Sequence, residues 1–229
     1  MTSPSASRSA PTLLLDFDGT VALGDEPVLA YAREVAAAAA APDAFDRVSR
    51  FLEAGVDDAH AVEDGYQLVQ ALGRAAGLDR ARMSRAYLES RAGVTSGVVP
   101  LHAAAGVHAA AAAVHAAGGR VVLVTNAPAA GLDGLLARMG VADAFDAVIG
   151  DARKPDGMGT IVDELLAEGL AADRIASIGD IWRNDLEPAH ARGCRTGLVD
   201  RFGRRRGPAD WVAGDLGGLV PEIVAWAGS

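Results

Sequence analysis

The chain is poor in cysteine, lysine and aromatic side chains. Its one cysteine, Cys194, excludes an internal disulfide and fits a reducing, cytoplasmic setting. The aromatics are only Trp 3, Tyr 3 and Phe 5, so the apolar mass is mostly Ala, Val and Leu, which suits helices packed closely on an aliphatic sheet. No stretch reaches the roughly 18 consecutive apolar residues of a membrane span. The Ser-rich start, MTSPSASRSAP, has no apolar core of a secretory signal, and residues 1–10 read as a disordered tail. Positive charge is also short: 21 Lys and Arg against 30 Asp and Glu leave a net charge of −9. That balance argues against a protein that neutralises nucleic-acid phosphates. What is present, 229 residues of which 50% are hydrophobic, suffices for an ordinary core and excludes wholesale disorder.

Thr12 to Leu15 form an apolar run too short for a helix and suited to a buried strand. From Asp25 onward the character is helix after helix, over 31–41, 44–54, 59–76 and 80–91. Asp residues precede three of these segments and Pro42, Gly55, Gly77 and Gly93 follow them, as helix capping predicts. After Pro100 helices and strands alternate. Helices are expected over 101–117, 129–139, 160–168, 187–192 and 219–226, and strands over 120–125, 147–149, 175–178 and 196–199. Such alternation implies right-handed crossovers and an α/β fold with a parallel sheet covered on both faces. The alanine-rich stretches 36–41 and 109–113 are ordinary good helix formers.

Ligands of open α/β sheets sit beyond the carboxyl ends of the strands. Here those ends carry Asp16 and Asp18, then Thr125 and Asn126, then Gly179 and Asp180 with Asp185 just after, and Lys154 follows the 147–149 strand. Asp16 and Asp18 are two residues apart, so in extended chain their carboxylates project to one side, roughly 7 Å apart. Alone, the pair fits an Asx turn or a helix cap equally well. Gathered with Asp180 and Asp185, four acids repel unless some stay protonated or a hard divalent cation joins them, and an all-oxygen site suits Mg²⁺. Lys154 is the only lysine; the other 20 basic residues are arginines. Its compact ammonium serves as a point charge on a phosphoryl oxygen. The Thr125 hydroxyl and neighbouring amides can hold another.

Four motifs appear in order: Asp16-Phe17-Asp18-Gly19-Thr20-Val21, Thr125-Asn126, Lys154-Pro155-Asp156, and Gly179-Asp180 with Asp185. The first and last are specific, the middle two gain force from their order. The chain thereby resembles the haloacid dehalogenase superfamily of phosphohydrolases from Leu13 to its last helix. The resemblance implies a Rossmann-like core over 11–24 and 95–229, with a helical cap over 25–94 inserted between motifs one and two. It implies that Asp16 is the nucleophile forming an aspartyl-phosphate and that Asp18 protonates the leaving oxygen and then activates water. Thr125, Asn126 and Lys154 would bind the transferring group. Mg²⁺ would be held by the Asp16 carboxylate, the Asp18 carbonyl and Asp180, with Asp185 in support. Asp18 argues against the dehalogenase branch, and the absence of lysine from the insert argues against phosphonate cleavage through a Schiff base.

The expected activity is Mg²⁺-dependent hydrolysis of a small phosphorylated metabolite. A phosphomutase of the β-phosphoglucomutase type is the alternative, since it differs mainly in how the cap excludes water. A receiver module shares the acid, Thr and Lys set but has neither this length nor a helical insert. The expected partner is a small phosphorylated molecule, with no nucleic acid and no membrane, in a monomer or homodimer. The basic run at Arg201, Arg204, Arg205 and Arg206 reads as a solvated loop or an anion contact. Arg47 and Arg50, at i and i+3, read as a salt-bridged helix face. None of the five histidines clusters as metal ligands.

Overall fold

The computed structural model describes residues 10–57 and 60–229. The expected tail over 1–10 falls almost wholly outside those residues, as does position 59, the expected start of the third helix. The chain opens with β1 (Thr12–Leu15) and β2 (Ala22–Leu23). Four helices follow: α1 (Glu26–Ala39), α2 (Asp43–Ala54), α3 (Gly65–Ala75) and α4 (Arg80–Ser96). After β3 (His102–Ala103) come α5 (Val107–Ala116), β4 (Arg120–Val124), α6 (Leu132–Met139), β5 (Ala147–Ile149) and α7 (Asp156–Ala167). The last elements are β6 (Ile175–Gly179), α8 (Glu187–His190), β7 (Arg195–Val199), β8 (Trp211–Ala213) and α9 (Leu216–Ala227).

The chain divides into two compact units: the stretch up to Leu23 together with Ala103–Ser229, and Gly24–His102. The first contains a six-stranded sheet in the order β5-β4-β1-β6-β7-β8, every pair parallel. This is the α/β architecture that the alternation of helices and strands predicts. Thr12 to Leu15 are all buried, as a central strand covered on both faces requires. Leu14 joins Val122, Val124, Met158, Val162 and Ile175 in one apolar cluster, while Leu13 and Leu15 point to the opposite face by strand alternation. β1 pairs with β4 through Leu15 and Leu123 and with β6 through Leu15 and Ile178. The three central strands therefore end level with one another, and the strand order reverses at β1, where such sheets form their ligand crevice.

The helical unit has its own core. Val28, Tyr31, Ala32 and Val35 of α1 are buried at helical spacing, as are Ala44, Val48, Phe51 and Leu52 of α2 and Leu68, Val69 and Leu72 of α3. All three tyrosines of the chain lie in this unit, and all three tryptophans lie in the sheet unit.

Helix boundaries differ from expectation where local backbone chemistry intervenes. α3 begins at Gly65 because the Asp64 side chain accepts from the Gln67 amide at 2.7 Å. α4 runs through Gly93 and stops at Gly97, which takes the left-handed conformation at φ 83°. α5 starts only at Val107, after Gly106 at φ 93°, so the residues expected as its first turns form β3 and a turn. The helix expected over 187–192 is the four-residue α8, and a wide π-helical turn that was not expected, Trp182–Leu186, precedes it. β8 was not expected at all; it is a three-residue, half-exposed edge strand. No helix among the described residues is long and apolar enough to cross a membrane.

Candidate active site

Asp16 sits one residue past β1, and its amide still donates to the Ile178 carbonyl at 2.9 Å. The chain then turns sharply. The Phe17 carbonyl accepts from Thr20, Val21 and Ala22, and the Gly19 amide donates to Ala22 at 2.9 Å. Gly19 is needed for two reasons: its φ is 88°, and a Cβ there would lie 2.5 Å from Asp180 Oδ2. The turn thus brings the first motif against the carboxylate that follows β6.

Asp185 reaches the same point from the π-helical turn. It is 1% exposed, its Oδ2 accepts from the Ile181 amide at 3.0 Å and its carbonyl accepts from Ser177 Oγ at 2.7 Å. Gly179 makes room for it, since a Cβ there would fall 2.4 Å from Asp185 Cβ. One carboxylate oxygen from each of Asp16, Asp180 and Asp185 lies within 4.8 Å of the other two. Asp18, half-buried at the turn, contributes no carboxylate oxygen to that trio.

Lys154 is 8% exposed and all three of its ammonium protons have partners. Nζ donates to Asp16 Oδ1 at 2.6 Å, to Asp185 Oδ1 at 2.7 Å and to the Val124 carbonyl at 2.9 Å. Burial alone would lower its pKa; the Asp16 and Asp185 carboxylates outweigh that and hold it above the ordinary lysine value. Burial pushes the Asp185 carboxyl up to about 7, opposed by Lys154 and reinforced by Asp16. The lysine expected to contact a phosphoryl oxygen therefore has no N–H left over in this arrangement. Asn126, expected to touch substrate, has its side chain turned to the backbone of Lys154, accepting from its amide at 2.6 Å and donating to its carbonyl at 3.2 Å. Thr125 is buried, and its Oγ1 accepts from the Ala127 amide at 3.0 Å.

Among the described residues, two buried side-chain atoms have no hydrogen-bond partner: Asp16 Oδ2 and Thr20 Oγ1. Both belong to the first motif. Buried polar atoms are normally satisfied, so an orphaned carboxylate oxygen marks a place where a ligand or reacting atom belongs. Gly179 of the fourth motif, Ser177 and the Val124 carbonyl complete the support of the cluster, and the last two were not singled out from sequence. Ser177 carried a signal, being the one polar side chain within the apolar β6 run.

Features expected to lie apart from the cluster have local partners. Arg47 pairs with Asp57 at 2.7 Å, and Asp57 also meets His60 Nδ1 at 2.8 Å. In the basic run, the Arg204 and Arg205 amides donate to the Asp200 carboxylate at 2.9 and 2.7 Å. The Arg201 and Arg204 guanidinium groups lie 5.1 and 4.9 Å from the Phe202 ring centroid.

No curated protein matches the chain. Solved structures of similar fold include a haloacid dehalogenase-like family hydrolase from Xanthomonas campestris, 20% identical, with a TM-score of 0.55 and coverage of 95% of this chain and 94% of that one. A HAD phosphatase from Thermococcus onnurineus is 20% identical at a TM-score of 0.56, covering 93% and 97%. CbbY from Rhodobacter sphaeroides, solved with phosphate, is 18% identical at a TM-score of 0.60, covering 92% and 96%. The family model of the haloacid dehalogenase-like hydrolases matches residues 13–191, a span that includes all four motifs, and the chain belongs to that family.

Proposed function

We propose that this hydrolase removes the phosphoryl group from a small phosphorylated metabolite through an aspartyl-phosphate on Asp16. The observation that carries the reading is the Asp16 carboxylate itself. One oxygen is fixed by Lys154 at 2.6 Å, the other is buried without a partner, and both sit at the carboxyl end of the central strand. In the first step Asp16 Oδ2 attacks phosphorus in line with the leaving oxygen, forming the O–P bond as the ester O–P bond breaks. Asp18 supplies the proton to the departing oxygen. It then takes a proton from water as that water attacks the same phosphorus, which releases inorganic phosphate and restores Asp16.

The remaining residues act by position and charge. Lys154 holds Asp16 in one orientation and offsets the charge of Asp16 and Asp185 rather than donating to substrate. Thr125 Oγ1 already accepts from Ala127, so its own proton can be directed at a phosphoryl oxygen. Asn126 sets the path of the Lys154 loop. Three buried or half-buried carboxylates within 4.8 Å of one another, with one oxygen orphaned, suit a hard divalent cation held by Asp16, Asp180, Asp185 and the Asp18 carbonyl. When bound, magnesium there lowers the repulsion between a carboxylate nucleophile and a phosphate dianion. In this reading Gly24–His102 takes the role of a cap that admits small substrates. The single cysteine, which can form no internal disulfide, supports reading this as a protein of the reducing cytoplasm.

The test is phosphate release from a panel of small phosphomonoesters, with Mg²⁺ and with chelator, by wild type and Asp16→Asn. Metal-dependent release that disappears in Asp16→Asn is expected. Full activity in that variant refutes the nucleophile, and isomerisation of a sugar phosphate without release of phosphate identifies a mutase instead.

A further inference from the structure

The helical unit carries a pocket of its own, of about 480 Å³, within the roughly 300–1,000 Å³ range of small-molecule sites. One wall is apolar and aromatic. Tyr31 and Tyr87 meet edge to face, with ring centroids 5.4 Å apart and planes at 75°, and Leu78 and Met83 lie beside them. The other wall is cationic. Arg74 and Arg80 line it, and neither is paired with a carboxylate of any described residue. Gln70 Oε1 accepts from Arg74 Nη2 at 2.8 Å and so holds one guanidinium in place without neutralising it.

Tyr31 is the unusual member. It is 2% exposed, yet its hydroxyl makes no hydrogen bond with any described residue. Burial pushes that hydroxyl up to about 12, against a small opposing pull from Arg74, so it stays a proton donor at neutral pH. The Tyr31 hydroxyl oxygen opens on the pocket rather than into the core, and an unpartnered phenol O–H beside a fixed guanidinium is a donor pair set for an anion. The pocket shares no residue with the carboxylate cluster.

We propose that this pocket is a second ligand site, which binds a small organic carboxylate with a flat aromatic body. The ring packs against Tyr31, Tyr87 and Met83. The carboxylate accepts from the Tyr31 hydroxyl and from Arg74, with Arg80 adding charge at the entrance.

Naphthalene-2-carboxylate is the probe, with 2-naphthalenemethanol as its neutral counterpart, and binding to the whole chain is read by isothermal titration calorimetry. The carboxylate is expected to bind with a dissociation constant below 1 mM and the alcohol at least tenfold more weakly. Arg74→Gln is expected to weaken the carboxylate by about tenfold or more through loss of a charge-assisted hydrogen bond. Ser84→Trp, which fills the pocket from an exposed position, abolishes binding. Asp16→Asn leaves binding unchanged, and Arg74→Gln retains wild-type phosphate release and unfolding temperature. Equal binding of acid and alcohol, no effect of Arg74→Gln or Ser84→Trp, loss of binding in Asp16→Asn, or no heat at several millimolar probe overturns the proposal.

Discussion

Replacing Lys154 with methionine tests the electrostatics of the carboxylate cluster. Its Nζ lies 2.6 Å from Asp16 Oδ1 and 2.7 Å from Asp185 Oδ1, with side chains 9% and 2% exposed. At an effective dielectric constant of about 20, each contact is worth roughly 6 kcal/mol of gross Coulomb attraction, and desolvation of the three ions offsets much of it. Methionine keeps the length and apolar stem of lysine while leaving two buried carboxylates with no cation between them. Removing one partner of a buried pair costs about 3–5 kcal/mol, which for a chain of this size lowers the unfolding temperature by about 6–20 °C. The assay is thermal and urea unfolding in chelator, so that no divalent ion substitutes for the ammonium. Lys154→Met/Asp185→Asn should recover at least half of the loss, because one of the two unbalanced charges is then gone. A Lys154→Met protein within 1 kcal/mol of wild type, or a double variant no better than the single one, would refute the view that this lysine compensates buried acids.

Three further outcomes are expected. Saturating Mg²⁺ at about 100 times its dissociation constant should stabilise wild type by about 2.7 kcal/mol, or about 5–11 °C, and Asp180→Asn should lose most of that shift. Gly19→Ala combines a φ of 88° with a Cβ 2.5 Å from Asp180 Oδ2, so it should cost about 1 kcal/mol or more and weaken Mg²⁺ binding in the same titration. The Asp210 carboxyl is held below its ordinary value; burial opposes this, but hydrogen bonds from the Thr196 hydroxyl and amide prevail, with Arg195 in support. A depressed carboxylate pKa stabilises the fold above the unfolded value, near pH 4, and that contribution is lost as pH falls through the folded value. Asp210→Asn should therefore be less stable than wild type in urea at pH 7, with the gap closing below about pH 4.

Much of the sheet unit is legible from sequence because each buried strand is a short apolar run closed by a polar residue. Leu13 to Leu15 followed by Asp16, and the 175–178 run followed by Gly179 and Asp180, are examples. Lys154 stood out as the sole lysine and by its place after the 147–149 strand in the third motif, and its burial between two carboxylates explains why an arginine fork would not replace it. The elements that escaped notice have weaker local signals. β8 owes its place to β7, with Gly197 opposite Trp211 and Leu198 opposite Val212, and isolated it has neither the length nor the alternation of a strand. Helix ends went astray where several glycines competed. Gly93 stays helical and Gly97 turns left-handed, a choice decided by where the chain goes next rather than by the glycines themselves. That Asn126 braces the Lys154 backbone is likewise not legible locally, because only the fold brings position 154 within its reach.

The division of tyrosines and tryptophans between the two units has an optical consequence. Tyr31, Tyr66 and Tyr87 are the phenols of the helical unit, and Trp182, Trp211 and Trp226 the indoles of the sheet unit. Red-edge excitation selects indole, so emission collected that way follows the sheet unit alone, while phenol absorbance follows the helical one. Denaturation curves from the two signals superimpose only when both units unfold in one cooperative event.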